Sequence, residues 1–273
     1  MKRTFCRAYP VLLAAAASVL LHTASAWADG GADAQASADD SGFTVLSNAT
    51  NVTHWGLGVG AGVAASPYKS GDTKFTPIPL ISFDNKWIHA LGTTIDLKIG
   101  KWDNVSVALR GDYAVGDGYR NDDAPILNGM QNRNGTFWYG PALAWKSAFG
   151  TLSADYLLGG NRGERAKLDF SKSFDLGRYS IEPYASVEWL SSDYVDYYYG
   201  VQASEARAGR PEYTGRAAYD TSVGTRVNYS ITRRQKVVLD VGVSHFTSGV
   251  TDSPIVGRSY LPAARLGYIY QFN

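Results

Sequence analysis

The sequence is poor in the residues that build disulfides, metal sites and catalytic pairs. It holds one cysteine, Cys6, and four histidines among 273 residues. Cys6 lies in a segment that we expect to be removed on export, so the mature chain would contain no cysteine. Disulfides and cysteine-ligated metals are then excluded. Asp122 and Asp123 could contribute to a cation site, but no ligand spacing surrounds them, and we expect neither a metal nor a cofactor.

Long apolar stretches and an excess of one charge are also missing. Lys and Arg number 26 against 25 Asp and Glu, so the chain lacks the basic surface of a nucleic-acid-binding protein. Its clearest apolar run, residues 11–21, is shorter than the ~20 residues of a membrane helix. The run follows basic residues and precedes Ala26-Trp27-Ala28, the pattern of a secretory signal peptide. We therefore predict a signal peptide at residues 1–28, with an uncleaved N-terminal anchor as the alternative.

Aromatic residues and glycine are plentiful, with 18 Tyr, 7 Trp and 29 Gly. A membrane protein without membrane helices must satisfy its backbone in a closed β-barrel. Residues 261–272 alternate an apolar, aromatic face with a mostly polar face and end in Phe272, as the closing strand of an outer-membrane barrel does. We predict an all-β fold, a single antiparallel transmembrane β-barrel over residues 54–273, preceded by a flexible periplasmic linker at residues 29–53. A secreted β-sandwich is the alternative.

The number of strands is uncertain at one place in the pattern. About eleven segments alternate, whereas bacterial barrels of one chain have an even number of strands, so about 10–12 strands are expected. The doubtful region is residues 76–99, which alternation assigns to two strands. Pro77 and Pro79 each remove a backbone donor, so we expect the first of these strands to be irregular or to sit at a rim.

Charged residues occupy many positions that alternation assigns to the lumen. Opposite charges that face each other across a narrow lumen most simply pair and fill it, although a narrow selective channel is an open alternative. The predicted lumen charges are Asp96, Lys98, Arg110, Asp112, Asp155, Glu182, Glu188, Asp220, Arg226, Asp240 and Arg265.

Three separated stretches carry a family signature. The first is SPYKSGDTKFTPIPLISFDN at residues 66–85. The second is Tyr197-Tyr198-Tyr199-Gly200-Val201, and the third is Thr251-Asp252-Ser253-Pro254. In this order they resemble the MipA/OmpV family, whose name comes from the MltA-interacting protein, and the resemblance runs from about Trp55 to Phe272.

The resemblance implies a non-enzymatic scaffold of the Gram-negative cell envelope. Founding members of the family link a lytic murein transglycosylase to a bifunctional penicillin-binding protein, so these peptidoglycan enzymes are the implied partners, alongside the lipid of the outer membrane. Other members are described as porin-like, adhesive or responsive to stress and antibiotics. A selective channel or a stress-responsive outer-membrane protein is therefore the alternative function.

The residues themselves point to no catalytic group. His245 lies beside Ser244, but neighbours on a strand face opposite sides and cannot form a pair. A hydrolase built from cross-strand partners is the remaining enzymatic alternative. The three consecutive tyrosines could stack on a sugar or peptide ligand, or pack their loop against the barrel. Counting strands back from the C-terminus places this loop and residues 248–258 on the cell's outer side, where we expect them to cover the mouth.

Overall fold

The computed structural model describes residues 44–45, 50–114 and 117–272. The predicted signal peptide and most of the predicted linker lie outside the described residues. None of the helices in the described part of the chain is long and apolar enough to cross a membrane. The strands are β1 (Thr44–Val45), β2 (His54–Ala64), β3 (Lys74–Asp84), β4 (Ile88–Leu91), β5 (Thr94–Trp102), β6 (Val105–Tyr113), β7 (Phe137–Ser147), β8 (Gly150–Leu158), β9 (Glu164–Ser171), β10 (Phe174–Leu176), β11 (Tyr179–Leu190), β12 (Ala218–Ser230), β13 (Gln235–Phe246) and β14 (Tyr260–Gln271).

Twelve of these strands, β2–β9 and β11–β14, form a closed antiparallel ring. The predicted all-β barrel is therefore confirmed, with a strand number at the upper end of the expected range. The last strand closes on the first, in a register that runs from Ala263 opposite Ala64 to Gln271 opposite Gly56. Two short strands supplement the ring. β10 pairs with β11, and β1 pairs with β5 beyond the end of β4.

The closing seam between β14 and β2 depends on aromatic contact and on glycine. The ring of Phe272 stacks on Trp55, with centroids 4.1 Å apart, and its amide donates to the Trp55 carbonyl over 2.9 Å. A β-carbon on Gly58 would lie 2.1 Å from the carbonyl oxygen of Tyr268, so no larger residue fits there. The inward side chain of Ile269 fills the space above this glycine. The seam is thus closely packed on both faces of the wall.

The region of doubtful strand number contains three strands. Alternation over residues 88–99 predicts one strand, but the chain turns back at Gly92 and forms the hairpin of β4 and β5. Gly92 has a φ of 61°, a left-handed conformation that glycine adopts without steric cost. The expectation of one strand was wrong because this turn needs only a glycine and Thr93 between two alternating segments.

Pro77 and Pro79 lie opposite Ala61 and Val59, inside an unbroken register of β3 with β2, so the expectation of an irregular strand or a rim position was wrong. β3 pairs with β4 only at residues 82–84, and residues 74–81 pair only with β2 in the described part of the chain. The Ile81 carbonyl accepts from Gly92 over 2.9 Å, so backbone groups of every second residue, Pro77 and Pro79 included, turn toward this unpaired edge. The prolines therefore remove donors that have no strand to bond.

The two ends of the barrel differ. At one, which we call the loop end, strands are joined by residues 65–73, 114–136, 191–217 and 247–259. At the other, which we call the turn end, the connections are as short as residues 85–87, 103–104, 148–149 and 231–234. The start of β2 and the end of β14 both lie at the turn end. This is the general asymmetry of outer-membrane barrels, which have short turns on one side and longer loops on the other.

Because the backbone of the two β3 prolines faces away from β2, substitutions at neighbouring positions of β3 should differ in their effect on stability. Pro79→Val adds a donor at the edge away from β2 but leaves the ladder with β2 intact, so it should lower the free energy of unfolding by less than Ile78→Pro does. Ile78→Pro removes a donor that faces β2 and should cost about 3 kcal/mol or more. Urea unfolding in liposomes, followed by tryptophan fluorescence, measures both. Equal losses for the two variants would contradict the assigned direction.

Candidate functional site

The loop end contains a short helix that the sequence analysis treated as loop. α1 (Ser192–Tyr199) begins after Ser191, whose Oγ accepts from the amides of Tyr194 and Glu164 over 3.2 and 2.9 Å. This N-cap joins the helix to the start of β9. The buried face of α1 carries Tyr194, Val195, Tyr198 and Tyr199. The helix therefore turns aromatic side chains down into the mouth of the barrel.

The three signature stretches meet at this mouth. Tyr68 of the first stretch forms a β-bridge with Val256, just after the third. The Ser253 hydroxyl of the third donates to the carbonyl of Tyr199 in the second over 2.6 Å. The Tyr68 and Tyr199 rings lie 6.2 Å apart. Stretches that are far apart in the chain thus make one cluster.

The loops of this end enclose the hydrophobic core of the molecule, which we call the plug. Tyr198 and Tyr199 are buried in it, so their rings are covered by protein and not presented to a ligand. Tyr197 is partly buried and lies under the guanidinium of Arg162, 3.6 Å from its ring centre. The buried members of the plug are Tyr68, Ala114, Tyr119, Ala124, Leu127, Met130, Trp138, Leu157, Leu190, Tyr194, Val195, Tyr198, Tyr199, Val201, Ala218, Phe246, Val250, Ile255, Val256 and Leu261.

Polar residues that the sequence analysis did not single out tie the loops together. Glu205 is buried and accepts from the Arg133 guanidinium over 3.1 Å and from the Gln131 amide over 2.8 Å. Arg210 donates to the Glu205 carbonyl and to the carbonyl of Asn128. These contacts join the loop at residues 114–136 to the loop at residues 191–217. Arg216 and Asp252 form a more exposed link, 2.6 Å long, to the third stretch.

Below the plug, predicted lumen charges form buried ion pairs. Arg110 binds Asp96 through two hydrogen bonds of 2.8 and 2.9 Å and reaches Asp155 over 2.9 Å. The strand register sets the first of these contacts, because Arg110 and Asp96 are direct cross-strand partners. Such bidentate, charge-assisted bonds are the strong kind.

A second buried arginine repeats the arrangement on the other side of the lumen. Arg226 lies between its cross-strand partners Glu182, at 2.7 Å, and Asp240, at 3.4 Å. The side chain of Tyr184 extends from β11 along the inner face of the wall, and its hydroxyl donates to Asp240 over 3.2 Å. It lies against Gly224 and Gly242, where an added β-carbon would meet its hydroxyl at 2.4 and 2.7 Å. Glycine in these strands therefore makes room for an inward tyrosine.

The third buried arginine, Arg165, was missed by the sequence analysis. It is 2% exposed, binds Asp112 over 2.7 Å and lies 3.7 Å from Glu188. Residues 165–170 read Arg-Ala-Lys-Leu-Asp-Phe, a clean alternation of charged and apolar side chains. This alternation predicts that Arg165, Lys167 and Asp169 face the lumen, and all three are buried in the structure.

The remaining predicted lumen charges differ from one another in their burial and in their partners. Asp220 is buried opposite Glu188 in the register. Lys98 is more exposed and pairs with Asp84 over 2.7 Å. The aliphatic part of the Arg265 side chain lies against Gly62, where an added β-carbon would be 3.2 Å from the Arg265 Cγ. The structure therefore places all of the predicted charges on the inner face, but it brings them into separate groups.

The described residues contain no cluster of three or more His, Cys, Asp or Glu side chains that could hold a metal ion. Asp122 pairs with Arg120 at 3.5 Å, and Asp123 binds Lys74 at 2.8 Å. The His245 ring packs 4.5 Å from the Tyr260 ring, while Ser244 is buried on the other face of the strand. The two residues thus stay apart, as adjacent strand residues must.

Asp117, in the loop after β6, is an acidic group inside the plug. Burial raises the pKa of Asp117 to about 7, although the charge of Arg165 opposes this shift. The carboxylates of Asp112 and Glu188 raise the pKa further by repulsion. Burial raises the pKa values of four plug tyrosines, and the negative charge of Asp117 raises them further; these are Tyr68, Tyr194, Tyr198 and Tyr199.

At the turn end, the lumen opens into a cavity of about 500 Å³, which we call the turn-end cup. Its lining includes Asp175, at the rim, and Glu182, which is paired with Arg226 deeper in the lumen. The cations Lys146, Lys172, Arg178 and Lys236 also line it, together with the hydroxyl side chains of Ser147, Thr151, Ser171, Ser173, Ser180 and Ser230.

Comparison with known proteins relates the chain to one family. The model of the family described as MltA-interacting protein MipA matches residues 57–272. Outer membrane protein Omp26La of Vibrio anguillarum is 28% identical over 236 residues, covering 82% of this chain and 91% of that protein. The MltA-interacting protein of Escherichia coli K12 is 26% identical over 239 residues, with 84% and 96% covered. A structure of the NanC porin aligns at 11% identity with a TM-score of 0.40, covering 78% of this chain and 98% of that one.

The buried carboxyl group of Asp117 predicts that the plug weakens as pH rises. Its pKa in the folded protein is above the ~4 of an exposed aspartate, so its contribution to stability is present below about pH 4 and is lost as pH rises through about 7. Asp117→Asn should remove this part of the pH dependence. Thermal melting of the near-ultraviolet circular dichroism of the plug aromatics, between pH 5 and pH 8, measures it. Asp122→Asn in the same loop, which is exposed, is the control and should keep the wild-type profile.

Proposed function

Because the chain belongs to the MltA-interacting protein MipA family, we propose that it is a non-enzymatic outer-membrane barrel that holds a murein transglycosylase at its turn end. In this proposal residues 1–28 direct export, and the turn end faces the periplasm. The relatives Omp26La and the Escherichia coli protein are named as an outer membrane protein and an MltA-interacting protein. The first name supports the location, and the second supports a transglycosylase as partner.

The observation that carries the proposal is the filled loop end. The plug residues Leu127, Val195, Val250 and Ile255 have no exposed surface, and the loops that hold them are joined by buried polar contacts. Among the described residues, the side chains of this end therefore pack against one another and fill the mouth. The face that remains open is the turn end, where the enzymes of the murein layer would meet the barrel.

The turn end also receives the N-terminal segment. Thr44 and Val45 pair with Lys101 and Gly100 near the end of β5, on the side of the barrel where β2 begins. We propose that this segment, together with the short turns at residues 103–104, 148–149 and 231–234, forms the surface that binds the transglycosylase. A penicillin-binding protein, implied by the family resemblance, would be a second partner of the same face.

A narrow selective channel is the other candidate, and the lumen charges bear on it. Arg110, Arg165 and Arg226 each lie against two carboxylates. A permeating ion would have to compete with these pairs, and the loss of either partner of a buried pair costs about 3–5 kcal/mol. Paired charges beneath a plug therefore support a holding function over conduction.

Site-specific cross-linking tests the proposal. The mature chain would have no cysteine, so a single cysteine at Arg233 in the turn end, or at Ala208 in the loop end, is unique. We expect a bifunctional maleimide reagent in whole cells to link Arg233→Cys to a periplasmic transglycosylase, identified by mass spectrometry. Ala208→Cys should give no such adduct and should react with an impermeant maleimide added outside.

Two results would count against the proposal. If Ala208→Cys captured the transglycosylase and Arg233→Cys reacted from outside, the barrel would have the opposite orientation. If neither variant captured a murein enzyme while both were folded and correctly labelled, the holding function would be wrong.

A further inference from the structure

The cations of the lumen differ between the middle of the barrel and the turn-end cup. Near the plug and midway down, Arg110, Arg165 and Arg226 are buried and bound to carboxylates. In the cup, neither Lys236 nor Arg178 has a carboxylate within ion-pair distance among the described residues. Asp175 also lines the cup, but it makes no ion pair with either cation. Positive charge is therefore matched by carboxylates in the middle of the lumen, whereas Lys236 and Arg178 at the turn end have no such partner among the described residues.

Lys236 is the informative member of this set. It is half-buried on the inner face of β13, the face that carries buried Val238 and Asp240 further up the strand. Its register partners are Ser230 of β12 and Ile269 of β14, neither of them acidic. A partly buried ammonium without a counter-charge is unfavourable unless something else supplies the charge. Its position at the wall of an open cavity points to a bound anion.

The rest of the cup adds polar groups suited to hydroxyl recognition. Ser173 and Ser180 lie 2.7 Å apart and share a hydrogen bond. The Ser147 hydroxyl donates to the Gly150 carbonyl over 2.9 Å and accepts from the Phe149 amide over 3.3 Å, which leaves one lone pair of its oxygen for a ligand. Asn228 offers an amide on the inner face of β12. A volume of about 500 Å³ lies within the usual range of ligand pockets, ~300–1,000 Å³.

We propose that the turn-end cup binds a carboxylate-bearing oligosaccharide, with Arg178 and Lys236 holding the carboxylate and the serines and Asn228 holding the sugar hydroxyls. The cations give charge-assisted hydrogen bonds, which are the strongest available here. Glu182 is held by Arg226 at the floor of the cup, which keeps this carboxylate away from the ligand. A ligand with hydroxyls and an acid group satisfies both kinds of lining.

Two sources could provide this chemistry. One is murein, whose glycan carries muramic acid and peptide carboxylates, and this source rests on the proposed function, since the barrel would then hold the substrate beside the enzyme. The other is a hexuronate oligosaccharide that reaches the cup independently of murein. Both are the same class of ligand, a sugar chain with carboxylates, and a direct binding measurement separates them.

Calorimetric titration of the full barrel in nanodiscs tests the inference. The probes are a disaccharide-tetrapeptide from murein, trigalacturonate, and maltotriose as a neutral sugar. We expect at least one acidic probe to bind at low salt and maltotriose to bind at least about tenfold more weakly. Raising the salt concentration should weaken the acidic probe because the charges are partly exposed.

The variants compare loss of charge inside and outside the cup. Lys236→Gln and Arg178→Gln should each weaken the acidic probe by about tenfold. Arg258→Gln removes an exposed cation from the loop at residues 247–259, at the other end of the barrel and outside the cup lining, and should leave the affinity unchanged. Heat-modifiable migration on gels checks that each variant is folded before it is titrated.

Each result decides the inference. Binding of the murein fragment alone assigns the cup to murein, and binding of trigalacturonate alone assigns it to hexuronate oligosaccharides. Equal binding of both acidic probes assigns it to acidic oligosaccharides in general. Failure of both acidic probes to bind, equal binding of maltotriose, or equal affinity in Lys236→Gln and Arg258→Gln would overturn the inference. The cross-linking experiment uses a different readout, so a barrel that binds acidic sugars but captures no enzyme would separate the two proposals.

Discussion

The whole structure depends on the closure of the backbone hydrogen-bond ring between β14 and β2. Lipid offers no partner to a free strand edge, so the wall must return to its start. Here Phe272 stacks on Trp55. Gly58 of β2 has no side chain, which leaves room for the backbone of Tyr268 and the inward side chain of Ile269 in β14. β4 pairs with β3 only at residues 82–84, and beyond it Pro77 and Pro79 turn toward the edge of β3, which lowers the number of donors there that have no strand to bond.

A closed wall leaves an interior that must be filled, and the chain fills it differently along its length. Apolar and aromatic residues from four loops pack as the plug at the loop end. Buried arginines held between carboxylates occupy the middle. The turn end is left with a cup lined by cations and hydroxyls. This order confines access to one face, and the proposed functions of that face follow from it.

Alternation in the sequence predicted the barrel and the inner face because the two-residue period of a strand is a local property. Asp96, Arg110 and Arg226 could be assigned to the lumen in this way, but their partners depend on register, which no local pattern contains. Arg165 was within reach of the same rule and was overlooked. The turn at Gly92 was missed because two residues between alternating segments leave the pattern almost unbroken. The helix α1 and the buried position of Asp117 could not be predicted, since each depends on contacts between distant loops.

The central claim is that the plug closes the loop end, and conductance across a planar bilayer tests it most directly. The wild-type barrel should show no stable ion steps. Val195→Arg, which places a charge at a position with no exposed surface in α1, should open the plug and give steps, while Asp193→Arg on the exposed side of the same helix should not. Stable steps of equal size in the wild type and in Val195→Arg would contradict the account.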